Sequence, residues 1–213
     1  MSNYLVESRE VKNGTVNIYL DDSPFNPRTE QDNLGHMICF HRRYNLGDDH
    51  NFSVDDVLEL IKRKDVIYLN LNLYDHSGIT MSTSNSYPYN DRWDAGQVGI
   101  IYVTAEEIRK EWKVKRISKK LREKVINILE CEVKEYDQYL TGEVYGYMAR
   151  DKNGNECGSC WGFFGYDSIK YMIKEGEAEI EWSMKKQISE HLKKLKAYII
   201  NHVPLDKRET CPV

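Results

Sequence analysis

The chain has 213 residues, enough for one large domain or two small lobes whose core needs no disulfide or metal to hold it. Its formal net charge of −4 excludes the broad basic footprint of sequence-independent nucleic-acid binding, and 40% hydrophobic with 30% charged residues is the composition of a globular protein in water. Five scattered cysteines, an odd number, fit a reducing compartment. The opening MSNYLVESRE has no basic segment followed by an apolar one, so the expected location is the cytoplasm, with no membrane partner.

The first predicted strand is Thr15–Leu20, which alternates and ends in the turn residues Asp21 to Pro24. A long loop containing Pro24 and Pro27 leads to a buried strand, His36–Phe40. The charged run HRRYNLGDDH follows. Ser53 and Asp56 mark a helix start, and Val54, Val57, Leu58 and Ile61 are its expected buried stripe. From Val66 the alternation of Ile67, Leu69, Leu71 and Leu73 against Tyr68, Asn70, Asn72 and Tyr74 has the period of two of a strand with one core face. A Ser-Gly turn, ITMSTS, a polar loop and QVGIIYV complete the stretch on which the rest is expected to pack.

Thr104 with Glu107 forms a capping box for a short helix through Trp112, and Ser118 opens a longer helix that Gly142 stops. Glu143–Arg150 and ECGSCWGFFG read as a hairpin joined at Asn153-Gly154. Tyr166–Lys174 reads as one helical segment and Ala178–His202 as another, with Ile180, Met184, Ile188, Leu192, Leu195 and Ile199 inside. The tail PLDKRETCPV is expected to be loose. Strands and helices in clusters, without strict alternation, indicate an α+β fold: a mainly antiparallel sheet with helices packed on it, including one long C-terminal amphipathic helix. One domain spanning 1–213 is expected, with a split into sub-lobes 1–113 and 114–203 as the alternative.

Several clusters invite chemical readings. His36, His41 and His50 with Asp48 or Asp49 have metal-ligand chemistry, but His36 and His41 stand five apart and point to opposite faces of a strand, so no metal is expected. Asp75, His76 and Ser77 have the residue types of a catalytic triad. Consecutive side chains do not converge, so Asp75, Ser77 and Gly78 are read as a turn and His76 as paired with a distant carboxylate such as Asp94 or Asp137. Cys157 and Cys160 lie in a predicted strand on opposite faces, away from the helix start that a redox pair requires. No phosphate-cradling loop or nucleophile elbow is present, and no cofactor is implied. Reactive-looking side chains are expected to lie dispersed.

The strings DNLGHMICFHRRYNLGD, LYDHSGITMSTS, WDAGQVGIIYVT, EYDQYLTGEVYGY and CWGFFG, in order from about Val16 to Gly165, resemble a widespread family of uncharacterised proteins of bacteriophages and integrated mobile elements. The resemblance implies a bacterial host cell and a context in which small proteins act against host defence, as anti-CRISPR or anti-restriction factors. It transfers no catalytic residues. The resulting expectation is a stoichiometric inhibitor that binds a host protein or ribonucleoprotein defence complex through two loops, Arg42, Arg43 and Tyr44 in one and Tyr87, Tyr89, Arg92 and Trp93 in the other. Aromatic and guanidinium side chains are favoured at such surfaces. The competing expectation is a metal-dependent hydrolase of a nucleotide or nucleic acid, with His41, Asp75, His76 and Asp94 converging.

Overall fold

The structure is a computed structural model that describes residues 4–76, 78–84 and 94–208. In chain order its elements are β1 (Leu5–Val11), β2 (Gly14–Leu20), α1 (Pro27–Glu30), β3 (His36–Cys39), α2 (Val54–Lys62), β4 (Val66–Asp75), β5 (Ile79–Ser82), β6 (Ala95–Thr104), α3 (Ala105–Trp112), α4 (Lys119–Thr141), β7 (Val144–Asp151), β8 (Glu156–Phe164), α5 (Ile169–His202) and α6 (Leu205–Arg208). The fold is α+β, with two four-stranded sheets whose registered strand pairs are antiparallel. No helix among the described residues is long and apolar enough to cross a membrane.

The chain divides into two compact units. The first comprises residues 22–144 and 164–166 and is built on the sheet β3-β6-β4-β5. The alternation of β4 separates its two faces. Ile67, Leu71 and Leu73 join Met37, Ile101 and Val103 beneath Val125, Leu129 and Val133 of α4, while Val66 joins Ile38, Ile100 and Tyr102 beneath Val57 and Leu60 of α2. On α2, Leu60 therefore takes the place expected of Val54 and Leu58, which are both exposed. Because α4 packs on β4 and β5, no boundary falls at Lys113–Lys120.

Local signals position these elements. Ser53 with Asp56 and Thr104 with Glu107 form full capping boxes, each hydroxyl accepting the N3 amide while the acid accepts the cap amide. Gly142 ends α4 in the left-handed region, at φ 73°. At Gly99 a β-carbon would overlap the backbone of Ile38 on the neighbouring strand, which is why the centre of the sheet carries a glycine there.

The second unit comprises residues 1–21, 145–163 and 167–213, with the sheet β1-β2-β7-β8. Val16, Ile18, Tyr145, Tyr147 and Ala149 pack against Ile169, Met172 and Ile180 of α5. Strand β1 was not expected; LVESREV alternates weakly, and the Asn13-Gly14 turn was its one clear signal. The β7–β8 turn is a longer version of the expected one. Gly154 takes φ 83°, its amide bonds to Asp151 O, and Asp151 Oδ1 accepts the amides of Asn153 and Asn155.

The largest departure is α5. The two expected helical segments are one helix of 34 residues, because Gly176 lies against Val16 and Tyr147 as a packing glycine and breaks nothing. Its apolar positions divide. Ile180 is fully buried and Met184 partly so, but Ile188, Leu192 and Leu195 are 56%, 54% and 45% exposed, since the helix outruns the sheet beneath it. Part of the tail expected to be loose is ordered: Arg208 donates to Val203 O and Ile200 O, completing the end of α5.

Candidate functional site

The antiparallel order β3-β6-β4 brings the end of β3, the start of β6 and the end of β4 to one edge of the first unit's sheet. Backbone bonds close that edge: Phe40 N to Val98 O at 2.8 Å and Asp75 N to Asp94 O at 2.8 Å. A cleft of about 200 Å³ opens there, with His41, Arg42, Arg43, Asp75, Asp94 and Gln97 among its lining residues.

The loop after β3 turns back on itself around His41. Its Nδ1 accepts the amides of Tyr44 at 3.2 Å and Arg43 at 3.4 Å, and its ring stacks on Tyr44 with centroids 5.2 Å apart. Nδ1 thus acts as an acceptor, and in the neutral ring the proton sits on Nε2, a hydrogen-bond donor. The same turn brings both Arg42 and Arg43 to the cleft, although adjacent residues of an extended strand would diverge.

Both carboxylates have a partner. Arg43 lies 3.2 Å from Asp75 Oδ2, an oxygen that is itself shut off from solvent, while the arginine is 72% exposed. That oxygen is close enough for an ion pair but not aligned for a hydrogen bond, so the contact is ionic. His76 Nδ1 lies 2.9 Å from Asp94 Oδ2. An ionised carboxylate can only accept, so Nδ1 carries a proton, and in the neutral ring Nε2 is the acceptor. Of the two acids expected near His76, the structure selects Asp94. His76 also stacks on Tyr74.

His41, Asp75 and Asp94 therefore share one cleft, with His76 tied to it through Asp94, so these groups are not dispersed as expected. Ser77, Tyr87, Tyr89, Arg92 and Trp93 lie outside the described residues.

The groups of the metal reading scatter. His36 bonds Glu107 at 2.7 Å, His50 bonds Cys39 O at 3.0 Å, and Asp48 is held by Arg28. Among the described residues no three His, Cys, Asp or Glu side chains are placed to hold an ion. Cys157 packs partly against the second unit's core and Cys160 is exposed, on opposite faces of β8.

Sequence reasoning missed Arg28. Its guanidinium is 2% exposed and binds Asp48 through two bonds of 2.8 Å, Glu132 at 3.1 Å and Gly35 O at 2.7 Å. Asp48 also accepts the Met37 amide, and Glu132 accepts the Leu34 amide at 2.7 Å, so the knot fixes β3 and the loop entering it. Burial alone would disfavour the charge of Arg28, but the two acids outweigh it and keep the guanidinium protonated. No family model, curated protein or solved structure matches the chain.

Proposed function

We propose that this chain is a mobile-element protein that binds a host defence complex stoichiometrically, using the loop from Phe40 to Tyr44 and the cleft beside it. The observation that carries the reading is the pairing of the site's acids. Asp75 and Asp94 are engaged by Arg43 and His76, which leaves exposed Arg42 and Arg43, the Nε2 donor of His41 and the ring of Tyr44 as the outward chemistry. Guanidinium forks and an imidazole donor suit a carboxylate or phosphate of the partner, and Tyr44 adds a flat apolar contact. The choice of a defence complex rests on the sequence resemblance.

Affinity capture from a bacterial lysate tests it. The wild-type chain is expected to retain a saturable partner, and its expression to relieve restriction of an incoming phage. The double variant Arg42→Ala, Tyr44→Ala is expected to lose both while keeping its fold. Normal restriction together with no saturable partner defeats the proposal.

A second reading draws on the convergence of His41, Asp75 and Asp94 on one cleft and on the contact of His76 Nδ1 with Asp94. In it the protein is a metal-dependent hydrolase of a nucleotide or nucleic acid. One divalent ion per chain in the purified protein, with chelator-sensitive hydrolysis lost in His76→Ala, favours this reading over stoichiometric binding.

A further inference from the structure

The distal half of α5 carries an apolar ladder. Ile188, Leu192, Leu195 and Ile199 recur at spacings of four, three and four; the first three are exposed, as are all residues 185–198, and Ile199 is half-buried. At about 100° per residue these four side chains span a strip far narrower than the face of a core-packed helix, the proportion of a coiled-coil seam.

The ladder is palindromic about the point between Lys193 and Lys194. Ile188 mirrors Ile199, Leu192 mirrors Leu195, and Met184 mirrors Val203. A two-fold axis through that point sets isoleucine against isoleucine and leucine against leucine, which is the self-complementarity of an isologous interface. We propose that the partner of this ladder is a second copy of the same chain, and that the two distal halves of α5 pair antiparallel.

Charge selects the direction. In a parallel pair, Lys185 would face Lys185 of the other copy, and His191 would flank Lys196. In the antiparallel pair Lys185 faces His202, Lys196 falls beside Ser189, and His191 falls beside Tyr198. Lys193 and Lys194 point away from the seam. The overlap is about 27 Å long, and it carries the two sheet-packed halves of the helices to opposite ends, where they do not collide. A seam of four apolar layers buries about 1,000 Å², near the lower limit for a specific interface. The dimer is therefore concentration-dependent.

Sedimentation equilibrium from about 1 µM to about 300 µM, a range that spans weak association, reads this directly. The wild-type chain is expected to pass from 25.1 kDa towards twice that mass. Leu192→Glu with Leu195→Glu is expected to remain at the single-chain mass with an unchanged circular dichroism melt of the body, because both side chains are exposed. Ser189→Glu places an acid beside Lys196 of the other copy twice in the antiparallel dimer and is expected to tighten it about threefold or more at low salt. A misfolded variant does not produce such a gain. A wild-type chain that stays at 25.1 kDa throughout, an association that survives the double substitution, or no tightening by Ser189→Glu each overturns the proposal.

Discussion

Arg28 and Asp48 form a two-point ion pair, Nε to Oδ1 and one terminal nitrogen to Oδ2, both at 2.8 Å, with the arginine almost wholly out of solvent. The pair spans twenty residues of loop and strand. Glu132 of α4 completes it, so a single guanidinium ties the entry to β3, the loop after β3 and the helix beneath the sheet. Arg28→Ala strands two part-buried carboxylates and is expected to cost about 3–5 kcal/mol of stability. Arg28→Lys restores little, because a point charge cannot reproduce the fork. Urea unfolding of the two variants beside wild type checks both statements.

Asp137 supplies a pH dependence with a definite sign. Burial raises its pKa above the ordinary carboxylate value, against the lowering effect of the Met81 amide, which donates to Oδ1 at 2.6 Å. The folded chain then holds this proton more tightly than the unfolded chain. The contribution to stability is full below the ordinary carboxylate pKa and is lost as pH rises through the raised value. Asp137→Asn keeps an acceptor for Met81 and does not titrate, so its stability relative to wild type is expected to rise between pH 4 and pH 7. Paired thermal melts across that interval measure the difference.

The cysteines divide by environment. Burial pushes the Cys39 thiol up to about 12, and the nearby Asp48 carboxylate adds to the effect. Cys131 and Cys160 are exposed. Brief alkylation at pH 8 followed by peptide mapping is expected to modify Cys131 and Cys160 and leave Cys39 intact until the protein is unfolded, since only the thiolate reacts.

Gly176 tests the packing of α5. A β-carbon there presses on both methyl groups of Val16, a wholly buried side chain. In an exposed helix, Gly→Ala gains about 1 kcal/mol. Here the overlap opposes that gain, and Gly176→Ala is expected to be a net loss of about 1–2 kcal/mol, within the usual cost of overpacking. Denaturant titration decides the sign.

At the cleft, Arg43 is mostly exposed but is the partner of Asp75 Oδ2, an oxygen shut off from solvent, so Arg43→Ala is expected to cost about 1–3 kcal/mol of stability while weakening capture of the partner about tenfold or more. His76→Ala frees the Asp94 carboxylate in the cleft it shares with Arg42 and Arg43 and is expected to weaken capture less, by about threefold. A competition titration against the captured partner compares the two.

The α+β class and nearly every element were legible because their signals are local. A period of two in β4, two capping boxes and a glycine at the end of α4 act over four to ten residues, and those residues carry the information themselves. The limits of α2's buried stripe and of α5's core contacts were not. Val54, Leu58, Ile188 and Leu192 are apolar at helical spacing, yet what a face meets depends on where the sheet beneath it ends.

The site divides in the same way. Composition and spacing identified His41, Arg42, Arg43, Asp75, His76 and Asp94 as the side chains with chemistry to offer, but separations of up to 53 positions left their convergence open. Tertiary structure decided it, because the strand order β3-β6-β4 carries three distant chain segments to one sheet edge. It also decided the fate of Asp48, which looks like a metal ligand beside Asp49 and His50 and is instead claimed by Arg28 of α1, twenty residues earlier. Local propensity is written along the chain; which charge meets which depends on the packing that closes the loops between them.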